Sequence, residues 1–363
     1  NSLILKNKKI KKIKISKTIE SWKEWEISNF EFIMWLNIYG NRSFNDLSQY
    51  PVFPWLITNY EDPIIDEVIS EEKKKDNKKK NENIKKDITD NINIQERKYR
   101  DLSLPMGMLT ISEEGEKRKN DFLETYKLLK GDDNIQAYIF GCNYSNPTYV
   151  CNYMIRIFPY THISVELQGD KFDDPNRLFT SINTSFKSCT SQKSDVREII
   201  PEFFYLPEMF INGNDLNMGI KEDGVKVNNV ETPCNNNPYE FTFLMRYILE
   251  NDTISYTIQN WIDLIFGCKN KGKEAELANN LYTESSYQED VDLKKVDNII
   301  IFLRYAEFGL VPNQLMSKGC ERKKKKEEIL KGKEITNPES KFTKNECQNL
   351  KADNPSYEIK NNS

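Results

Sequence analysis

Proline interrupts the most apolar stretches of this chain, and that feature restricts its fold more than any other. "RSFNDLSQYPVFPW", Arg42 to Trp55, sets Phe44, Tyr50, Phe53 and Trp55 around two prolines. "YRDLSLPMG" and "IPEFFYLPEMFING" repeat the habit. Each proline removes a backbone donor and pushes its predecessor away from helical geometry. Such strings cannot be long helices or fully laddered strands, so their backbone groups need partners from elsewhere.

Helices supply the surrounding layer. Ser28 and Glu31 make an S-x-x-E capping box before "FEFIMWLNIYG", with Gly40 at the stop, which predicts a helix over 29–39. Thr110 and Glu113 repeat the device before "EKRKNDFLETYKLLKG". Pro147 opens "SNPTYVCNYMIRIFP", while "DDPNRLFTSINTSFKSC" and "NNPYEFTFLMRYILEN" share an Asp/Asn-then-Pro start. Helical periodicity continues through Ile254–Phe266 and Leu293–Phe308; "HISVELQG" alternates as a strand would. The expectation is a mainly α fold, helices around a core of irregular extended segments, with little regular β.

Three segments are too polar to join that core. Asn1–Lys17 carries seven lysines and no acid; residues 66–98 hold ten basic and nine acidic groups; residues 317–363 hold twelve and eight. The expected organisation is a basic linker, or the tail of a preceding domain, at 1–17, one domain at 18–316 broken by a disordered lysine-rich insertion at 66–98, and a charged, disordered tail or linker at 317–363. Within the insertion, Ile84, Ile88 and Ile92 mark a short amphipathic stripe in what composition otherwise makes a solvated loop. Beginning at Asn1 without Met, the chain is expected to be part of a longer one. Without the three segments the remaining body carries 23 basic and 39 acidic residues, a balance of −16. That sign disfavours nucleic acid and anionic bilayers as ligands of the body and favours partners with basic surfaces.

The order of blocks "EISNFEFIMWLNIYGNRSFNDLSQYPVFPW", "YRDLSLPMG", "FGCNYSN", "LQGDKFDDPNRLF", "SDVREIIPEFFYLPEMFIN", "WIDLIFGCKNKG" and "FGLVPNQLM" resembles the BEACH domain of the beige and Chediak-Higashi type proteins. The resemblance runs from about Thr18 to Met316. It implies a helical domain of large cytoplasmic scaffold proteins in vesicle-mediated membrane trafficking, lysosomal or autophagic, peripheral to intracellular membranes. It also implies a pleckstrin-homology-like (PH-like) domain before this one and a WD-repeat propeller after it. Asn143 and Ser164 stand where relatives commonly carry histidine, and Gly169-Asp170 replaces a Gly-Gly pair, a turn that Asp tolerates in left-handed geometry.

Catalytic patterns are sparse. The chain has one histidine, His162, so any hydrolase triad passes through it, and no G-x-S-x-G elbow occurs; the simpler reading is a satisfied structural imidazole. Asp170, Asp173 and Asp174 lack calcium-loop spacing, and Asp174-Pro175 reads first as a helix opening. The seven cysteines never form C-x-x-C and read as buried, reduced thiols. No phosphate-cradling glycine loop is present, and no cofactor or metal is expected. The expected function is a non-enzymatic scaffold that docks proteins, with membrane association indirect or through flanking segments. Its partner-binding candidates are Asn45, Asp46, Arg100 and Asp101, with Tyr50 and Trp55 at the rim. Each of the six also suits internal use on unpaired backbone groups. An enzyme with a hydrolase-like cleft between the same extended segments is the competing reading.

Overall fold

The computed structural model describes residues 14–61, 98–132, 136–287 and 308–326, together with positions 299, 303, 328 and 329. The isoleucine stripe of the insertion, residues 1–13 of the basic segment, most of Leu293–Phe308 and the charged tail from residue 330 on lie outside the described residues. Two compact units divide the chain, Asn1–Lys323 and Lys324–Ser363. In the second, the Lys325 N–H donates to the Glu328 carboxylate at 2.9 Å.

In the first unit, residues 14–23 are helical, so helix begins inside the lysine-rich segment, with Ile15 buried. Helix α1 is Asn29–Tyr39, opened by the expected capping box: the Ser28 hydroxyl accepts from the Glu31 N–H, and the Glu31 carboxylate accepts from the Ser28 N–H. Gly40 stops it, though at φ −78° rather than in left-handed geometry. A Cβ there would stand 3.1 Å from the Leu36 carbonyl oxygen and 3.2 Å from Pro312. Helix α2, Glu113–Lys130, is capped by Ser112, not Thr110; the Ser112 hydroxyl accepts from the Gly115 N–H.

Asn146 caps α3, Pro147–Tyr153, with Pro147 in its first turn. The alternating "HISVELQG" is no strand. It forms most of α4, Tyr160–Leu167, in which Thr161 is the buried residue; with only one side covered, local helical bonding decides. Gly169 and Asp170 then turn the chain with φ of 71° and 62°, as their residue types allow. Helix α5, Ile182–Ser191, starts from a Ser181 cap. Asp174-Pro175 does not open it: the Asp174 carboxylate accepts from the Asn176 N–H and holds an isolated turn. Helix α6, Pro238–Glu250, begins at the expected Asn-Pro with Asn237 as cap. The run ending at Phe266 divides into a single turn, Asp252–Ser255, and α7, Ile258–Ile265.

The proline-interrupted strings fill the interior. Tyr50, Val52, Phe53, Trp55, Leu56 and Ile57 are buried, and the Trp55 ring meets Tyr60, Phe186 and Phe203 edge-on. Among the described residues β-pairing is confined to isolated bridges, including Phe53–Ile199 and Ile57–Tyr99. "IPEFFYLPEMF" is not extended throughout but makes two single 3-10 turns, Pro201–Phe204 and Pro207–Phe210, each started by a proline whose fixed φ suits a first helical position.

Side chains replace the missing ladders. The Asn37 amide accepts from the Val52 N–H at 2.9 Å and donates to the Val52 carbonyl at 3.0 Å, standing in for a neighbouring strand. Buried Arg42 donates to the carbonyls of Tyr50 and Leu310, Arg118 to those of Met106 and Cys189, and Arg156 to those of Phe179 and Asn228. These arginines join segments far apart in sequence and satisfy the carbonyls that a broken strand leaves behind.

The segment past Met316 does not leave as a tail at once. The Cys320 N–H donates to Asp263 Oδ1 at 2.7 Å, and Lys23 pairs with Glu321. Lys323, 1% exposed, places its ammonium 4.1 Å from the Trp25 ring centre and 3.1 Å from Asn29 Oδ1. Charge count alone misjudges this stretch, because aromatic faces and an amide oxygen help to take up a buried lysine.

Candidate functional site

The six candidate residues do not form one surface. Trp55 and Arg100 come together in the interior. Arg100 grips Glu198 with Nη1 on Oε2 and Nη2 on Oε1, each at 2.7 Å, and its Nη2 also lies 3.3 Å from the Leu104 carbonyl. The same carboxylate accepts from Trp261 Nε1 at 3.0 Å and from the Trp55 N–H at 3.2 Å. Trp55 Nε1 donates to the Arg197 carbonyl. Trp55 is therefore not a rim residue, and Arg100 offers no charge to a partner, because both are spent where strings 50–57 and 98–104 cross the Val196–Phe204 string.

Tyr50 is also inside, 1% exposed, with its hydroxyl aimed at Glu202. The remaining three lie in turns. Asn45 is exposed, and its N–H meets Ser43 Oγ. Asp46 caps the short turn Leu47–Gln49 through the Ser48 N–H at 2.9 Å. Asp101 is exposed and accepts from the Ser103 N–H and hydroxyl, so neighbours Arg100 and Asp101 serve opposite sides of the chain.

Sequence reasoning passed over two glutamates of "SDVREIIPEFF". Glu198 is the neutralised one. Glu202, 3% exposed, receives the Tyr50 hydroxyl at 2.6 Å and the Tyr205 hydroxyl at 3.1 Å, both on Oε1. Tyr50 and Tyr160 share a further hydroxyl contact of 3.1 Å. Oε2 of Glu202 has no hydrogen-bond partner among the described residues. Burial holds the Glu202 carboxyl above the usual carboxylate range, with the Tyr50 hydrogen bond opposing the shift. Burial, and after it the Glu202 carboxylate, raises the phenols of Tyr50 and Tyr205 in turn. An acid inside an otherwise apolar, proline-bounded run was the available signal, since such a group must find donors or a cation.

Other sequence features settle simply. His162 is exposed on α4, its ring 4.8 Å from that of Phe158, so it is not an enclosed structural imidazole. Asp173 pairs with Arg177 and Asp174 holds its turn; among the described residues no cluster of His, Cys, Asp or Glu is placed to hold a metal. Cys151 and Cys189 are buried, as expected, whereas Cys142, Cys268 and Cys320 are half-buried thiols; burial pushes Cys151 up to about 11 and Cys320 up to about 12. Thiols shifted that way are poor nucleophiles at neutral pH. Asn143, fully buried, accepts from the Ser145 N–H and holds the turn before α3. No helix among the described residues is long and apolar enough to cross a membrane.

A helical body whose extended strings are clamped by buried arginines, asparagines and one closed ion pair is the class of structure seen here. The chain belongs to the Beige/BEACH domain family, whose family model matches residues 20–323. It is 36% identical over 301 residues to a putative neurobeachin homolog of Caenorhabditis elegans, a match covering 82% of this chain and 11% of that protein. BEACH domain-containing protein lvsD of Dictyostelium discoideum is 37% identical over 300 residues, covering 81% of this chain and 9% of the relative. WD repeat- and FYVE domain-containing protein 4 of Homo sapiens is 33% identical over 333 residues, covering 89% and 9%. The chain thus spans about a tenth of the length of these curated relatives.

Proposed function

We propose that this chain is the docking body of a larger scaffold protein in vesicle-mediated membrane traffic, and that it works by binding proteins without turning over a substrate. Vesicle fusion or fission on lysosomal or autophagic routes is the setting, at the cytoplasmic face of intracellular membranes. A PH-like domain before the family-matched region and a WD-repeat propeller after it complete the architecture, and the flanking segments provide membrane association. The human relative's name includes WD repeats, which supports the second of these neighbours.

One observation carries the reading: an interior locked by side-chain clamps bears large apolar side chains on its outside. Tyr239 and Phe243, one turn apart on α6, are 58% and 74% exposed. Exposed aromatics on a body whose backbone is fixed are the material of interface hot spots, since they bring large contact area and lose little conformational freedom on binding.

The test uses the flanking segments of the full-length protein, expressed apart from the 363-residue chain. Isothermal titration is expected to show saturable association with at least one of them. Absence of any association, or turnover of ester, phosphoester or peptide substrates above background, overturns the proposal.

A further inference from the structure

Glu198 and Glu202 lie one turn-length apart in the same string and are treated oppositely. Glu198 is closed by the Arg100 guanidinium and by two further N–H donors. Asp195, also buried, has Arg197 at 2.8 Å. Glu202 has two phenol hydroxyls on one oxygen, nothing on the other, and no ion pair with a basic group among the described residues. Neutral hydroxyls orient a carboxylate without cancelling its charge, and a buried charge left uncancelled is costly.

The surroundings lead outward. Tyr205 is 46% exposed, Tyr160 is half-buried, and exposed Phe44 stands edge-on to Tyr50 with ring centres 5.5 Å apart. On the other side Phe30 meets Tyr205 edge-on at 6.1 Å. A carboxylate with one oxygen unpartnered among the described residues therefore lies under an aromatic rim, on a body whose residues 18–65 and 99–316 carry 23 basic and 39 acidic groups. Ring faces and a carboxylate together are the chemistry that takes up an ammonium or guanidinium group.

We propose that Glu202, with Tyr50, Tyr160 and Tyr205, forms a docking site for a lysine or arginine side chain of a partner polypeptide. Tyr205, 46% exposed with its hydroxyl on Oε1 of Glu202, is the residue on the outer side of the site, and in this proposal it shifts on binding to pack against the aliphatic stem of the incoming residue. This deepens the scaffold reading and rests on it. A polypeptide is favoured over a lipid because the excess negative charge repels anionic bilayers and because exposed tyrosines are typical anchors of protein interfaces.

The test is fluorine NMR of the full chain labelled with 3-fluorotyrosine, the Tyr160 and Tyr205 signals being assigned through Tyr160→Phe and Tyr205→Phe. The probes are acetyl-Ala-Leu-Lys-Leu-Ala-amide, its arginine counterpart, and controls with norleucine or citrulline at the central position. Lysine and arginine peptides are expected to move both signals saturably, the controls binding about tenfold more weakly or worse. Glu202→Gln is expected to remove that preference for charge. Should Glu202→Gln fail to fold, Tyr205→Ala, at an exposed position, is expected to weaken the lysine peptide about fivefold. No response at millimolar peptide, equal response to norleucine, unchanged affinity in both variants, or response to phosphatidylcholine vesicles alone overturns the site. If the wild-type chain fails with the peptides yet still binds the flanking segments, the scaffold reading survives and only this site falls.

Discussion

Arg100 and Glu198 face each other through two parallel hydrogen bonds of 2.7 Å, with side chains 0% and 2% exposed. The pair joins two strings and holds two tryptophans, so its loss is structural. Arg100→Met, which strands the carboxylate, is expected to cost about 3–5 kcal/mol in urea unfolding. Combining it with Glu198→Gln should be milder than the sum of the single changes by at least about 1 kcal/mol, because the stranded charge is gone. Full additivity would show that the two groups act independently. Charge reversal at Arg100 is expected to unfold the chain and not merely to release partners.

Glu202 gives the stability curve a definite sign. Burial raises its folded-state value above the usual 4.5, so the fold favours the protonated acid. Its stabilising contribution is complete below the unfolded value and is lost as pH rises through the folded one. Urea unfolding from pH 4 to 8 should therefore show the stability of wild type relative to Glu202→Gln falling with rising pH. A flat or rising difference contradicts the assignment.

Gly107 is required by its neighbour. A Cβ there would stand 2.0 Å from Cε1 of Phe140, whose ring packs against Phe122 and Tyr282. Gly107→Ala is expected to cost about 1–3 kcal/mol through overpacking. Phe140→Leu in the same chain should return part of that loss, as thermal unfolding of the two variants would reveal.

Lys323 ties the end of the first unit to its beginning, between the rings of Trp22 and Trp25 and beside Asn29. Lys323→Met keeps the apolar stem and removes the ammonium. The expected loss is about 1–2 kcal/mol, accompanied by a change in tryptophan emission. Unchanged stability and unchanged emission would show that the cation contributes nothing there.

Local chemistry made much of the outline legible. Ser28 with Glu31, Asn146 with Pro147, and Asn237 with Pro238 each announce a helix start, because a cap is a contact among residues adjacent in sequence. Where two local signals compete, the outcome differs from the expectation: Ser112 caps α2 instead of Thr110, and α4 replaces an apparent strand, since among the described residues no second strand lies beside it to reward alternation. The candidate site was legible in part. Tyr50, Trp55 and Arg100 were picked out as important, but whether they face inward or outward depends on residues some hundred positions away, Glu198 and Glu202.

By itself the sequence determined that apolar strings broken by proline must be interior, that helices must enclose them, and that the order of blocks is that of a BEACH domain. Tertiary structure alone decided which polar groups satisfy those strings. A hydrogen bond has a direction and needs both partners in place, so one buried glutamate is closed by an arginine brought from far along the chain while the next has, among the described residues, an oxygen without a partner.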